Sequence, residues 1–380
     1  MKNLLVFVSL ILTVNACDVF QNKVDTQNSL SESYKEHFYI GAALNTRHYH
    51  GTDTIGIPIV EKHFNSISPE NDLKWEQIHP KPEVYNFVES DQFVAFGEAN
   101  NMFIVGHVLV WHSQIPDWVF EDENGNEISR ERLLERMEDH ITTIVGRYKG
   151  RINAWDVVNE ALNEDGTLRR SKWYQIIGPD FIEKAFEYAQ AADPEAELYY
   201  NDYNMFIPEK ADGAVQMVKN IQEKGIKVSG IGMQGHYGLE GPTPQEVEAS
   251  ILKFKELGVV AITELDIDVL PPAFQYVGAD ISMRAELRAE LNPYIEGMPD
   301  SIKQAQIDIY TDYFEVFLRH SDKINRVTTW GVTDADSWKN GWPVSGRTNY
   351  PLLFDREGKE KEVVEVLMEL ATKKDKQKTN

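Results

Sequence analysis

Residues 103–110, Phe103-Ile104-Val105-Gly106-His107-Val108-Leu109-Val110, form an apolar run interrupted by one ionisable side chain, His107. The run is too short for a buried helix and rich in the β-branched residues that strands favour. A segment with helical apolar spacing follows at 129–147, and a second β-type run, INAWDVV, at 152–158. Working outward, the same alternation fills the chain. Strand candidates lie at 38–44, 64–70, 196–202, 228–234, 260–266 and 326–332. Helical periodicity is clearest at 175–192, 209–224, 244–257 and 303–319, and weaker at 53–63, 89–100 and 359–373. Eight strands alternating with eight helices call for a parallel sheet, and eight such units close into a single (β/α)8 TIM barrel of the α/β class. A doubly wound open sheet is the alternative, but the first strand–helix turn has no glycine-rich phosphate loop.

Composition agrees with one large soluble fold. The chain has 380 residues, 42% hydrophobic and 26% charged, with a formal net charge of −23. That balance argues against a nucleic-acid partner, because no excess of Lys and Arg is present to displace phosphate counterions. The start of the chain is basic and then apolar, from Leu4 to Val14, and ends at Ala16-Cys17. It reads as a signal peptide of lipoprotein type over 1–16, with Cys17 as the lipidated residue of an exported bacterial lipoprotein. Cys17 is the only cysteine, so disulfides are excluded. Residues 17–33 read as a polar, flexible tether, 34–374 as the barrel and 375–380 as a polar tail. The long segment from Leu270 to Pro299, with four prolines, is expected on the face where strand seven ends.

Polar and aromatic residues follow most of the apolar runs. They include Glu70-Asn71-Asp72-Leu73-Lys74-Trp75, Trp111-His112-Ser113-Gln114, Asn159-Glu160, Asn201-Asp202-Tyr203-Asn204, Gln234-Gly235-His236, Glu264 with Asp266, and Trp330 ahead of Asp336-Ser337-Trp338. In a barrel these strand ends converge on one face, where such folds place their sites. Glu160 and Glu264 sit in apolar strand sequence on strands four and seven, on opposite sides of a closed barrel. Acetal cleavage needs one carboxyl group to protonate the leaving oxygen and a second to attack or stabilise the anomeric carbon. Each glutamate alone is as readily a structural ion-pair partner; the two together, amid Trp, Asn, Gln and His, point to chemistry. His48 and His50 form an H-x-H after the first strand, as in barrel metal-dependent amidohydrolases. The lysine and histidine that such enzymes need at the ends of strands four and five are replaced here by Asn159-Glu160 and Asn201-Asp202, so no metal or cofactor is expected.

Six motifs in order, Ser68 to Trp75, Gly106 to His112, Trp155 to Ala161, Gly232 to His236, Ile262 to Asp266, and Trp330 with Asp336-Ser337-Trp338, give the chain its resemblance. From about Tyr34 to the last helix it resembles the glycoside hydrolase family 10 endo-β-1,4-xylanases. The resemblance implies Glu160 as acid/base and Glu264 as nucleophile of a retaining mechanism on xylan or xylo-oligosaccharides. It implies Glu70, Asn71 and Lys74 as contacts to the second glycone sugar, and His107, Trp111, Asn159 and Gln234 around the sugar that is cleaved. His236 would bond the nucleophile, with Asp266 orienting it; Trp330 and Trp338 would cover the glycone sugars, and Tyr203 would stack on the leaving side. Gln114 is a weaker member of the set, and Trp75 and Trp155 read as core. Loop 121–128 and the 270–300 segment would border the leaving side. A related barrel glycosidase acting on glucan or mannan is the nearest alternative, and a non-catalytic binding protein would be expected to lack one carboxylate. The protein is expected to be a monomer that meets membrane only through Cys17. Accordingly, Cys17→Ser is expected to move the protein from the membrane to the soluble fraction, because a polar tether has no other hold on lipid; retention after detergent-free washing would contradict the anchor.

Overall fold

A computed structural model describes residues 28–273, 283 and 285–378. The signal segment, Cys17, most of the proposed tether and part of the 270–300 segment lie outside the described residues. Eight parallel strands form the barrel: β1 (Tyr39–Leu44), β2 (Ser66–Pro69), β3 (Phe103–Val110), β4 (Ala154–Asn159), β5 (Glu197–Asp202), β6 (Gly230–Met233), β7 (Val259–Asp268) and β8 (Ile324–Thr329). Each pairs with the next, and β8 returns to β1 through Ile40↔Val327 and Gly41↔Thr328, so the sheet closes.

The surrounding helices are α1 (Gly56–His63), α2 (Val88–Ala99), α3 (Arg130–Arg147), α4 (Phe181–Ala192), α5 (Pro208–Glu223), α6 (Pro244–Phe254), α7 (Asp300–Arg319) and α8 (Glu362–Lys378). Their starts are written locally. Ser129 accepts from the Arg132 N–H at the head of α3, and Thr243 and Glu246 cap α6 reciprocally. Pro208 opens α5, where its missing N–H costs nothing.

Four expectations need correction. The candidate strand at 228–234 ends at Met233, because the chain turns through Gly235 at φ 82°; a separate short strand, His236–Gly238, then pairs with β7. The candidate helix at 175–192 divides into Lys172–Ile177 and α4, broken at Gly178, whose φ of 104° no helix accepts. The tether does not reach residue 33: Ser29 caps a helical turn, Leu30–Ser33, and Leu30 is fully buried in the core. The polar tail is also shorter, since α8 continues to Lys378 and Asp375 pairs with the buried His37.

Most of the apolar core lies between sheet and helices, whereas the barrel interior holds a small cluster of Val105, Ala154, Tyr199 and Ala261. Above it, Arg326 is fully buried, 4.4 Å from the Tyr199 ring and 3.7 Å from Asp156. Gly106 sits beside Trp155 in register, and a Cβ there would lie 2.2 Å from the indole ring. Both groups are fixed by strands, so the clash has no cheap relief. Gly106→Ala is therefore expected to destabilise the fold by about 1–3 kcal/mol, read as a lowered urea midpoint; an unchanged midpoint would contradict this packing.

Candidate active site

The C-terminal ends of the strands surround one cleft of about 890 Å³. Every residue that the sequence singled out for catalysis or sugar contact lines it: Glu70, Asn71, Lys74, His107, Trp111, Asn159, Glu160, Tyr203, Gln234, His236, Glu264, Trp330 and Trp338. Asp266 lies behind them, fully buried. The period-two geometry of β7 explains this depth: Glu264 and Asp266 share one side of the strand and are both withdrawn from solvent.

The two carboxylates rest on one floor of amides. Asn201, fully buried at the end of β5, donates to Glu264 Oε1 at 2.8 Å and to Asn159 Oδ1 at 3.0 Å. Its own oxygen accepts from Thr263 Oγ1 at 2.7 Å. Gln234 donates to the same Asn159 oxygen at 3.2 Å and to Glu160 Oε1 at 3.0 Å, and Asn159 Nδ2 reaches Glu160 Oε1 at 3.1 Å. Carboxylates from opposite sides of the barrel thus share a continuous hydrogen-bonded base.

Their other neighbours differ. Glu264 Oε2 lies 3.1 Å from His236 Nε2, and His236 Nδ1 lies 2.8 Å from Asp266 Oδ2. Burial pulls the His236 imidazole down, but Asp266 and then Glu264 outweigh it and push it up to about 9. Asp266 is held below its ordinary value: burial raises it, while His236 and Lys339 more than compensate. Glu160 is also lowered. Burial raises it, but His112, with Nδ1 4.0 Å from Oε2, and the Gln234 hydrogen bond prevail. Positive and donor groups around Glu160 therefore set its direction against its own burial.

Elsewhere along the cleft, Lys74 is buried, donates to Asn71 Oδ1 at 3.0 Å and Gln114 Oε1 at 2.8 Å, and lies 5.1 Å from the Trp111 ring. Burial pulls its ammonium down against the raising effect of Glu264, Glu70 and Glu160. His107 is braced by Asp156 at 3.0 Å and meets the Trp330 ring edge-on at 5.3 Å. Trp338 is tied through Nε1 to Asp266 Oδ2 at 2.9 Å and stacks on Trp342 at 5.1 Å.

The H-x-H pair does not converge. His48 Nδ1 accepts the Asn45 N–H at 3.2 Å, whereas His50 pairs with Glu89. His48, Asp53 and Asp336 do approach one another, but His48 then carries its remaining proton on Nε2, which offers a cation no lone pair.

Similarity to known proteins matches this geometry. The profile of glycosyl hydrolase family 10 fits residues 29–370. The chain belongs to that family. It is 44% identical over 345 residues to endo-1,4-beta-xylanase A of Xylanibacter ruminicola, covering 90% of this chain and 94% of the relative. A beta-1,4-xylanase of Dictyoglomus thermophilum is 43% identical over 86% of this chain and 87% of its own length. Among solved structures, a family 10 endoxylanase retrieved from a sugarcane soil metagenome superposes with a TM-score of 0.86 at 44% identity, covering 91% of this chain and all of that one.

Three residues at the cleft or bonded to its carboxylates were given no role from sequence: Asn201, Trp342 and Arg169. Asn201 occupies the same strand-end position as Asn159, a parallel that would have found it. Trp342 sits in a Gly-Trp-Pro loop whose aromatic has no apolar period around it. Arg169, which touches Glu160 through its backbone, carries no local signal.

The His236 proton gives a stability signature. Its folded value, about 9, lies above the free value of 6.5, so its contribution is whole below pH 6.5 and lost as pH rises through 9. The stability difference between wild type and His236→Gln is expected to narrow by on the order of 3 kcal/mol across that window. Denaturant titrations at stepped pH would measure it; a difference independent of pH would show that no such proton is held.

Proposed function

We propose that this chain is an endo-1,4-β-xylanase that works by retaining double displacement, with Glu264 as nucleophile and Glu160 as acid/base. The observation that carries the reading is the unlike support of two carboxylates on one amide floor. Glu264 faces an imidazolium and a buried amide, which suits a group that must attack in ionised form. Glu160 lies beside Tyr203 and the cleft wall from β4 and β5, where a leaving group would depart. In the first step a Glu264 oxygen bonds the anomeric carbon while the glycosidic C–O bond breaks, and the Glu160 proton passes to the leaving oxygen. In the second, water attacks the same carbon, Glu160 takes its proton, and Glu264 leaves as carboxylate. Because Glu160 is held below its ordinary value, its protonated fraction in the free enzyme declines at lower pH than burial alone would set. The basic limb of kcat/KM moves down with it.

Xylan as substrate rests on the xylanase relatives and on the Glu70, Asn71 and Lys74 cluster. Comparing reducing-sugar release from xylan and soluble cellulose separates this reading from a glucan-acting relative. Export as a lipoprotein held by Cys17 is proposed from the N-terminal motif alone.

The two roles separate by leaving group. Glu160→Ala is expected to depress xylan cleavage by about 10²–10⁴-fold, yet to leave the initial burst from a dinitrophenyl xylobioside intact. Azide should then restore its turnover. Glu264→Ala is expected to abolish reaction with both substrates, since neither can form the covalent intermediate. Equal initial losses in Glu160→Ala on both substrates would remove it as the acid.

A further inference from the structure

Glu160 is not in ordinary strand geometry. Its φ is 57°, a left-handed conformation that costs a side-chain-bearing residue roughly 1–2 kcal/mol. Two bonds hold its backbone there. Its N–H donates to Asn201 O at 2.9 Å on β5, and its carbonyl accepts from Arg169 Nε at 2.9 Å. The same guanidinium donates through Nη2 to the Tyr203 phenol oxygen at 2.7 Å. One planar fork therefore joins the backbone of Glu160 to the aromatic ring on the leaving side.

The chain returns Arg169 to this place by a small hairpin. Leu162 pairs with Leu168, the Arg169 N–H donates to Ala161 O at 2.7 Å, and the turn passes through Gly166 at φ 78°. The tip is pressed against α5: a Cβ on Gly166 would lie 2.3 Å from Glu209 O, and one on Gly213 would lie 2.3 Å from Gly166 O. From α5, fully buried Lys210 reaches Asp202 at 2.9 Å and Glu164 at 3.4 Å, and lies 3.7 Å from the Tyr203 ring centroid. Asp202 Oδ2 in turn accepts the Leu162 N–H at 3.3 Å. Hairpin, strand end and helix are locked together, and Arg169 is the member that touches both Glu160 and Tyr203.

We infer that Arg169 is a positioning residue that fixes the acid/base carboxyl relative to the ring beneath the leaving sugar, so that the proton is aimed at the oxygen of a chain lying on Tyr203. The inference rests on the acid/base role proposed above for Glu160. A lysine there keeps the charge but cannot bridge two acceptors in a fixed fork. The guanidinium charge is also among the influences that lower Glu160, so its removal shifts that group upward.

The test compares Arg169→Gln, Arg169→Lys and Glu160→Ala on xylan and on a dinitrophenyl xylobioside, with melting temperatures measured alongside. Arg169→Gln is expected to lower kcat on xylan by about 10–10²-fold, as for a misplaced reacting group. The burst on the activated substrate should stay near wild type, and the basic limb of kcat/KM should move to higher pH. Arg169→Lys should keep that limb in place while still losing activity on xylan, and it carries the test if the glutamine variant does not fold. Equal losses on both substrates, or wild-type rates with an unmoved limb, would overturn the inference. If Glu160→Ala itself shows no leaving-group dependence, the acid/base reading fails; if it does while the Arg169 variants do not, only the positioning role fails.

Discussion

Two carboxylates withdrawn from water into one cleft set the terms for the rest of this structure. A buried charge without partners costs several kcal/mol, and removing one partner of a buried pair typically costs about 3–5 kcal/mol. The protein answers with directed donors. Asn201, Asn159 and Gln234 supply amide N–H groups to Glu264 and Glu160, and His236 supplies a cation held in place by Asp266. Lys74 and Lys339 add two further buried cations nearby. The barrel is well suited to this because strand ends from all sides meet within hydrogen-bonding distance on a frame that does not yield.

That frame also explains why support for the site extends below it. His107 leans on Asp156, and Asp156 lies near Arg326, which covers the Tyr199 ring inside the barrel. A polar column therefore runs from the barrel interior to the cleft floor. Trp338 is held the same way, its indole N–H bonded to the aspartate that orients His236. Aromatic walls and charged floor share anchors, so displacement of one is felt by the other.

Much of this was legible in the linear chain. The run at 103–110 matches β3 at both ends, and the alternation of two periodicities led to the closed barrel. The thirteen cleft residues named from the sequence meet in one place because each lies in the C-terminal half of a strand or in the loop after it, and a closed parallel sheet brings those ends to one face. The misses share a cause. Helical spacing alone did not reveal the break at Gly178, because periodicity carries across a single left-handed residue. Polar composition suggested a tether through Ser33, yet one leucine, Leu30, was enough to dock the last turn against the core.

The sequence by itself determined the architecture and singled out the candidate reactive groups, since periodicity and motif order are properties of neighbouring residues. The tertiary structure decided which partners those groups have and which charge state they favour. Asn201 stands 63 residues from Glu264 and Tyr203 stands 34 from Arg169, and no local pattern records such meetings. Protonation follows from them: His236 is raised by Asp266 and Glu264, and Glu160 lowered past the effect of its own burial by His112 and Gln234. Desolvation and Coulomb interaction depend on distance through space, which the chain acquires only when the barrel closes.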